Sequence, residues 1–258
     1  MILGFDIGNT HIVPIFYSNE GSIIATFRIP TSLEITEDTL FSTLKTIALH
    51  HNINIYDVKD IIVSSVVPHI NEIFEYLAID YFNTKAKFVT LELIEKELNI
   101  LDGFERVLGA DRIVDILECK RLYPRKELII IDFGTATTFD VIKDSTYLGG
   151  CILPGINLSI NSLFKNTAKL PKIKFEKPET ILGYDTITQI NAGIYFSNIG
   201  AIKEIILEYK KEIPNAYVIA TGGQGIEISK KVNSIDEYIP NLGPNGLFEF
   251  YKIINNNY

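Results

Sequence analysis

Short apolar runs bounded by glycine, proline or asparagine alternate in this chain with longer stretches whose apolar residues recur every three or four positions. The first pattern predicts strands and the second amphipathic helices. Ile2–Phe5 reads as a strand, and Ile12–Tyr17 as another in which Pro14 marks an edge position or an irregularity. Asn19-Glu20-Gly21 signals a turn, and Ser22–Ile29 is a third strand. Leu40–His50 has helical spacing, capped by Thr39 or Asp38. Val58–Val67 is mostly strand, Ile70–Tyr81 a helix and Phe88-Val89-Thr90 a short strand. A central helix opens within Gly109–Leu117.

After the Tyr123-Pro124-Arg125-Lys126-Glu127 turn the opening order returns. Leu128–Ile131, Thr138–Ile142 and Tyr147–Leu153 read as strands, the last broken by Gly149-Gly150. Ile156–Lys165 is a helix, Thr186–Tyr209 two successive helices and Ala216–Ala220 a late strand. Asn241–Tyr258 is a closing loop and helix. The wording repeats as well as the order. Ile2-Leu3-Gly4-Phe5-Asp6-Ile7-Gly8-Asn9-Thr10 is echoed by Leu128-Ile129-Ile130-Ile131-Asp132-Phe133-Gly134-Thr135-Ala136-Thr137-Thr138. The prediction is an α/β protein with two duplicated lobes, 1–118 and 119–258, and a cleft between them.

Composition narrows the class. The chain has 258 residues, 47% hydrophobic and 22% charged, which suits a folded protein rather than a disordered one. Its formal net charge is -8, and Lys and Arg are scattered, so a nucleic-acid partner is not expected. No apolar run is long enough to span a membrane, and Met1 leads straight into a core strand with no signal-peptide pattern. The expected location is the cytoplasm. Cys119 and Cys151 lack metal-ligand spacing and read as small buried side chains.

The chemistry concentrates at glycine turns. Asp6 follows a strand, where a carboxylate either coordinates Mg²⁺ or accepts backbone hydrogen bonds in a plain turn. Gly8 lets backbone approach a phosphate, and Asn9 and Thr10 can donate to its oxygens. In the second copy, Asp132 either faces a cation or organises the turn, and Thr135 is favoured over Thr137 and Thr138 as the phosphate contact. Neither turn is a Walker loop or a dinucleotide fingerprint. Two carboxylates with several small donors suit a magnesium–phosphate substrate such as ATP. Gly109-Ala110-Asp111-Arg112 opens a helix: Asp111 can accept a hydroxyl proton, and Arg112 can hold a carboxylate or phosphate, unless the two form an ordinary surface pair. The helix dipole acts to lower the Asp111 pKa and burial to raise it. His11 has no partners at a useful metal spacing.

Taken in order, these motifs resemble the type III pantothenate kinases of the acetate/sugar-kinase, heat-shock-protein and actin superfamily. Ser64-Ser65-Val66-Val67-Pro68, Gly149-Gly150, Pro154-Gly155, Ala168-Lys169-Leu170-Pro171 and Thr221-Gly222-Gly223 complete the series. The resemblance implies duplicated ribonuclease-H-like lobes and ATP-dependent phosphorylation of pantothenate to 4′-phosphopantothenate, the first step of coenzyme A biosynthesis. It implies Asp111 as general base, Asp6 near Mg²⁺–ATP, and Thr135 at the ATP phosphates. It places Gly109, Arg112 and Thr186 against pantothenate, and Asp132 at a K⁺ or NH₄⁺ site. It further implies a homodimer, with helices around Asn191–Tyr209 as interface material. The segment Leu101–Leu108 departs from the family's usual aromatic and Asn-Pro pattern. Two other readings are a regulatory or binding relative with weak catalysis, and a kinase for another small hydroxy acid.

Overall fold

The computed structural model describes residues 1–101, 108–124, 126–167 and 170–256. In chain order the elements are β1 (Ile2–Ile7), β2 (His11–Tyr17), β3 (Ile23–Thr26), β4 (Ile29–Pro30), α1 (Glu37–His50), β5 (Asp60–Ser65), α2 (Asn71–Phe82), β6 (Ala86–Phe88), β7 (Asn99–Ile100), α3 (Ala110–Leu122), β8 (Leu128–Phe133), β9 (Ala136–Lys143), β10 (Thr146–Pro154), α4 (Ile156–Lys165), α5 (Thr186–Glu212), β11 (Tyr217–Thr221), α6 (Ile226–Ser229), β12 (Glu237–Tyr238) and α7 (Leu242–Asn256). They form two compact units. One comprises Met1–Leu98, Gly103–Arg121 and Leu242–Tyr258; the other Asn99–Asp102 and Leu122–Asn241.

The first unit is built on a sheet of order β3-β2-β1-β5-β6, with β4 also on β2. β1 is antiparallel to β2 and parallel to β5. Side chains alternate across the sheet. Leu3, Phe5 and Ile7 therefore enter one core with Ile61 and Val63 of β5, Leu40 and Leu44 of α1, and Phe74 and Leu77 of α2. Gly4 lies on the opposite face: a Cβ there would stand 2.7 Å from the Tyr17 ring and 3.0 Å from Leu247 of α7. β1 is buried on both faces, which explains its unbroken apolar run.

The second unit repeats the plan in the order β12-β11-β8-β9-β10-β7. β8 is antiparallel to β9 and parallel to β11. Ile129, Ile131 and Phe133 pack with Val218, Ala220 and the α5 residues Tyr195, Ile199, Ile202 and Ile206. β1 and β8 have the same burial pattern, in which the half-buried fifth residue is Asp6 in one and Asp132 in the other.

Several local expectations change. Of the two readings of Pro14, an edge position or an irregularity, the second holds. Pro14 sits where the outer partner of β2 switches from β4, at His11 and Ile12, to β3, at Ile15–Tyr17, so its missing N–H falls at a gap in the ladder. The expected strand Ser22–Ile29 is accordingly split into β3 and β4. α1 starts earlier than expected, because Thr36 is the cap and accepts from Thr39 N. Thr186–Glu212 is one helix rather than two. Its buried stripe Ala192, Tyr195, Ile199, Ile202, Ile206 runs through Gly193 and Gly200 without a break. The boundary between 118 and 119 differs from the observed grouping, chiefly because α7 joins the first unit. Phe248 leaves no room for a Cβ at Gly21, Tyr17 donates to Pro244 O at 2.6 Å, and Tyr251 donates to Asp60 at 2.9 Å. Most of the atypical 101–108 segment, and Ala168-Lys169, lie outside the described residues.

Candidate functional site

The first turn is shaped by its own backbone. Gly8 N donates to His11 O at 3.0 Å, and Thr31 Oγ1 donates to Gly8 O at 2.7 Å. A Cβ at Gly8 would meet only His11 O, at 3.5 Å, so internal packing does not demand glycine here. The bare backbone instead leaves an approach for something external, with Asn9 and Thr10 exposed beside it. Asp6 stands one residue inside the strand end, paired in register with Val13 and Ser64. Burial, then the nearby Asp111 charge, raises its pKa from 3.8 to about 6. Ser64 Oγ on the same sheet face is buried and has no hydrogen-bond partner among the described residues. Tyr17 is also driven up, by burial first and then by Asp6.

α3 brings Asp111 into this field. Its buried Ile113, Val114, Ile116 and Leu117 fix the helix, and Gly109 O accepts the first bond, from Ile113 N at 3.0 Å. The Asp111 carboxylate folds back over the helix start, where Oδ1 accepts from Arg112 N at 2.8 Å. Burial raises its pKa and outweighs the lowering by the Arg112 N–H and guanidinium. Two carboxylates that are costly to ionise therefore lie within each other's influence. Such an arrangement favours a proton acceptor beside a cation-binding acid.

The second turn is held from two sides. Gly134 N donates to Ala136 O at 3.0 Å, and a Cβ on Gly134 would lie 3.1 Å from Asp132 Oδ2. The loop after β11 covers the other carboxylate oxygen: Gly222, at φ +89, leaves no room for a Cβ against Asp132 Oδ1. Thr135 is exposed at the tip, while Thr137 and Thr138 are buried in β9. Gly155 N donates to Thr135 O at 3.1 Å, seating the start of α4 on the same turn. Thr186 is exposed at the first position of α5, which Asp185 and Thr188 cap reciprocally. Among the described residues, no group of three or more His, Cys, Asp or Glu side chains is arranged to hold a metal.

The sequence model of the type III pantothenate kinase family matches residues 2–208. The chain belongs to the type III pantothenate kinase family. It is 48% identical to a type III pantothenate kinase of Fusobacterium nucleatum, over 98% of this chain and 99% of the relative. It is 40% identical to one from Thermosipho africanus over 98% and 99% of the two chains. Among solved structures, a Campylobacter jejuni protein described as a Baf family transcriptional activator superposes with TM-score 0.60 at 20% identity, covering 99% and 98% of the two chains. Component A of the Acidaminococcus fermentans (R)-2-hydroxyglutaryl-CoA dehydratase gives 0.55 at 13% identity, covering 98% of each. At these identities the structures show the shared fold, the duplicated actin-like one.

Within this family framework the structure brings Asp6 and Asp111 together in the first unit, and Asp132, Gly134 and Thr135 together in the second. One residue that sequence reasoning passed over is Gln224. Its Nε2 donates to Gly134 O at 3.2 Å, and its Oε1 accepts from Asn157 N at 3.0 Å. Tyr17, whose hydroxyl feels the Asp6 charge, was equally silent, for its role depends on cross-strand register. A glutamine directly after Thr221-Gly222-Gly223 was the only textual signal for Gln224.

Proposed function

We propose that this protein transfers the γ-phosphoryl group of ATP to the terminal hydroxyl of pantothenate, giving 4′-phosphopantothenate. The single observation that carries the reading is the Asp6–Asp111 pair: a half-buried acid one residue from a phosphate-type turn, coupled to a second acid at the start of a helix. Membership of the family supplies the substrate.

Asp111 is the general base. Its raised pKa makes it a better proton acceptor than an exposed aspartate, and the Arg112 N–H holds the carboxylate in one orientation. Arg112 pairs with the carboxylate of pantothenate, Gly109 gives the substrate room, and Thr186 supplies a further hydroxyl contact. Asn9, Thr10 and Thr135 donate to the phosphate chain, and Gly8, without a Cβ, lets that chain approach the turn. Asp6 would hold Mg²⁺, and the chemistry of the donor fits: a half-buried carboxylate beside a second acid gains from a cation. Mg²⁺ commonly takes only one or two carboxylates and completes its shell with phosphate oxygens and water, so no larger acidic cage is required. Mg²⁺ supplies charge neutralisation on the phosphate oxygens when bound. Asp132 would hold a monovalent cation, K⁺ or NH₄⁺. The reading also carries a homodimer and a cytoplasmic location; no described helix is long and apolar enough to cross a membrane.

³¹P NMR of the protein with ATP, Mg²⁺, K⁺ and pantothenate tests this. A phosphomonoester signal that depends on pantothenate is expected. If ATP binds but no such signal forms, the acceptor assignment fails.

A further inference from the structure

The second glycine turn, the loop after β11 and the start of α4 are three separate pieces of chain, and one side chain ties them together. Gln224 donates from Nε2 to Gly134 O at 3.2 Å and accepts at Oε1 from Asn157 N at 3.0 Å. Its own backbone N–H reaches Phe133 O at 3.4 Å. The loop cannot drift from the strand, because the Phe133 ring leaves no room for a Cβ at Gly225 and Asp132 leaves none at Gly222. α4 has no cap from its own N-cap residue, Gly155. Gln224 supplies that missing acceptor from 67 residues away in sequence.

We propose that Gln224 is a positioning residue for the nucleotide: its carboxamide sets the Gly134–Thr135 turn against the start of α4 so that both meet the phosphate chain. This rests on the kinase reading above. A primary amide suits the task because it donates to a carbonyl and accepts from an N–H at once. A hydroxyl is too short for that span. A carboxylate keeps the acceptor, loses the donor and puts negative charge beside the phosphates.

The last point separates positioning from mere support. If Gln224 served only the fold, Gln224→Glu would be milder than Gln224→Ala, since an acid is favourable at a helix start. If it positions nucleotide, Gln224→Glu is the worse variant toward ATP despite its stability. Isothermal titration of wild type, Q224A and Q224E with Mg·ATP, together with KM measured separately for ATP and pantothenate, decides it. We expect Q224A to weaken ATP about tenfold, from two hydrogen bonds lost at partners left unsatisfied. Q224E should weaken it further, with the pantothenate KM within about twofold of wild type, as the contacts to that substrate are elsewhere. Equal rises in both KM values, or Q224E binding ATP as tightly as wild type, overturn the assignment. A wild type that binds Mg·ATP without phosphorylating pantothenate sinks only the acceptor assignment, and the titration still judges Gln224.

Discussion

The Asp111 carboxylate occupies the space that a side chain at Gly109 would need: Oδ1 would lie 2.5 Å from a Cβ built there. The obstructing atom is the end of a rotatable chain, so Gly109→Ala moves Asp111 and spares the helix. We expect kcat to fall roughly 100-fold, the scale of a misplaced reacting group, with the denaturation midpoint little changed. A variant with wild-type kcat would show that this carboxylate position is irrelevant to turnover.

Asp111→Asn keeps the shape and removes the proton acceptor. ATP binding should persist while kcat drops by roughly 100- to 10,000-fold, the usual range for a lost general base. Titration with ATP and single-turnover rates on the same sample check the two halves. Near-normal turnover would remove Asp111 from the base role.

Asp6 ties stability to pH. Its pKa is about 6 in the fold against 3.8 for the ordinary acid, because burial and Asp111 oppose ionisation. The folded state therefore holds a proton that the unfolded chain has released. This contribution is complete below pH 3.8 and lost as pH rises through 6. The loss is roughly 3 kcal/mol for a shift of about two pH units. Denaturant melts of metal-free wild type and Asp6→Asn from pH 4 to 7 should diverge by that amount, wild type losing the more. Parallel curves would mean that Asp6 ionises normally.

Arg112→Ala should raise the pantothenate KM about tenfold or more, through loss of a charged hydrogen-bond donor to its carboxylate. The KM for ATP should stay near wild type. A defect confined to ATP would move Arg112 to the phosphate side.

Gly246 of α7 has no room for a Cβ against the Val114 carbonyl of α3. Backbone cannot swing aside as a side chain does. Gly246→Ala should cost about 1–3 kcal/mol in chemical denaturation, typical of overpacking. Because α3 carries Asp111, kcat should fall too; an unchanged midpoint would show that the helices separate freely.

The repeated strand–Asp–Gly turns were legible because local sequence writes them out: an apolar run, a carboxylate one residue from the strand end, then glycine. That text predicted the fold class and drew attention to Asp6, Asp132 and Gly109–Arg112. What it could not show depends on register and on distant partners. Pro14 left an edge position and an irregularity both open, because the switch from β4 to β3 that decides for the irregularity is written on other strands. Thr186–Tyr209 reads as two helices because the continuous stripe from Ala192 to Ile206 is apparent only when its face is packed. Gln224 looked like a loop residue because both of its partners, Gly134 and Asn157, lie more than sixty positions upstream.

The packing of α7 on β1 and β2 has a consequence for synthesis. Leu247 and Phe248 cover Gly4 and Gly21, and Pro244 receives the Tyr17 hydroxyl. A nascent chain that has emerged only to residue 241 has made every strand of the first sheet but lacks the cover over Gly4 and Gly21. The first unit to leave the ribosome is thus the last to close, and during that interval the patch left uncovered is the surface that a chaperone would meet.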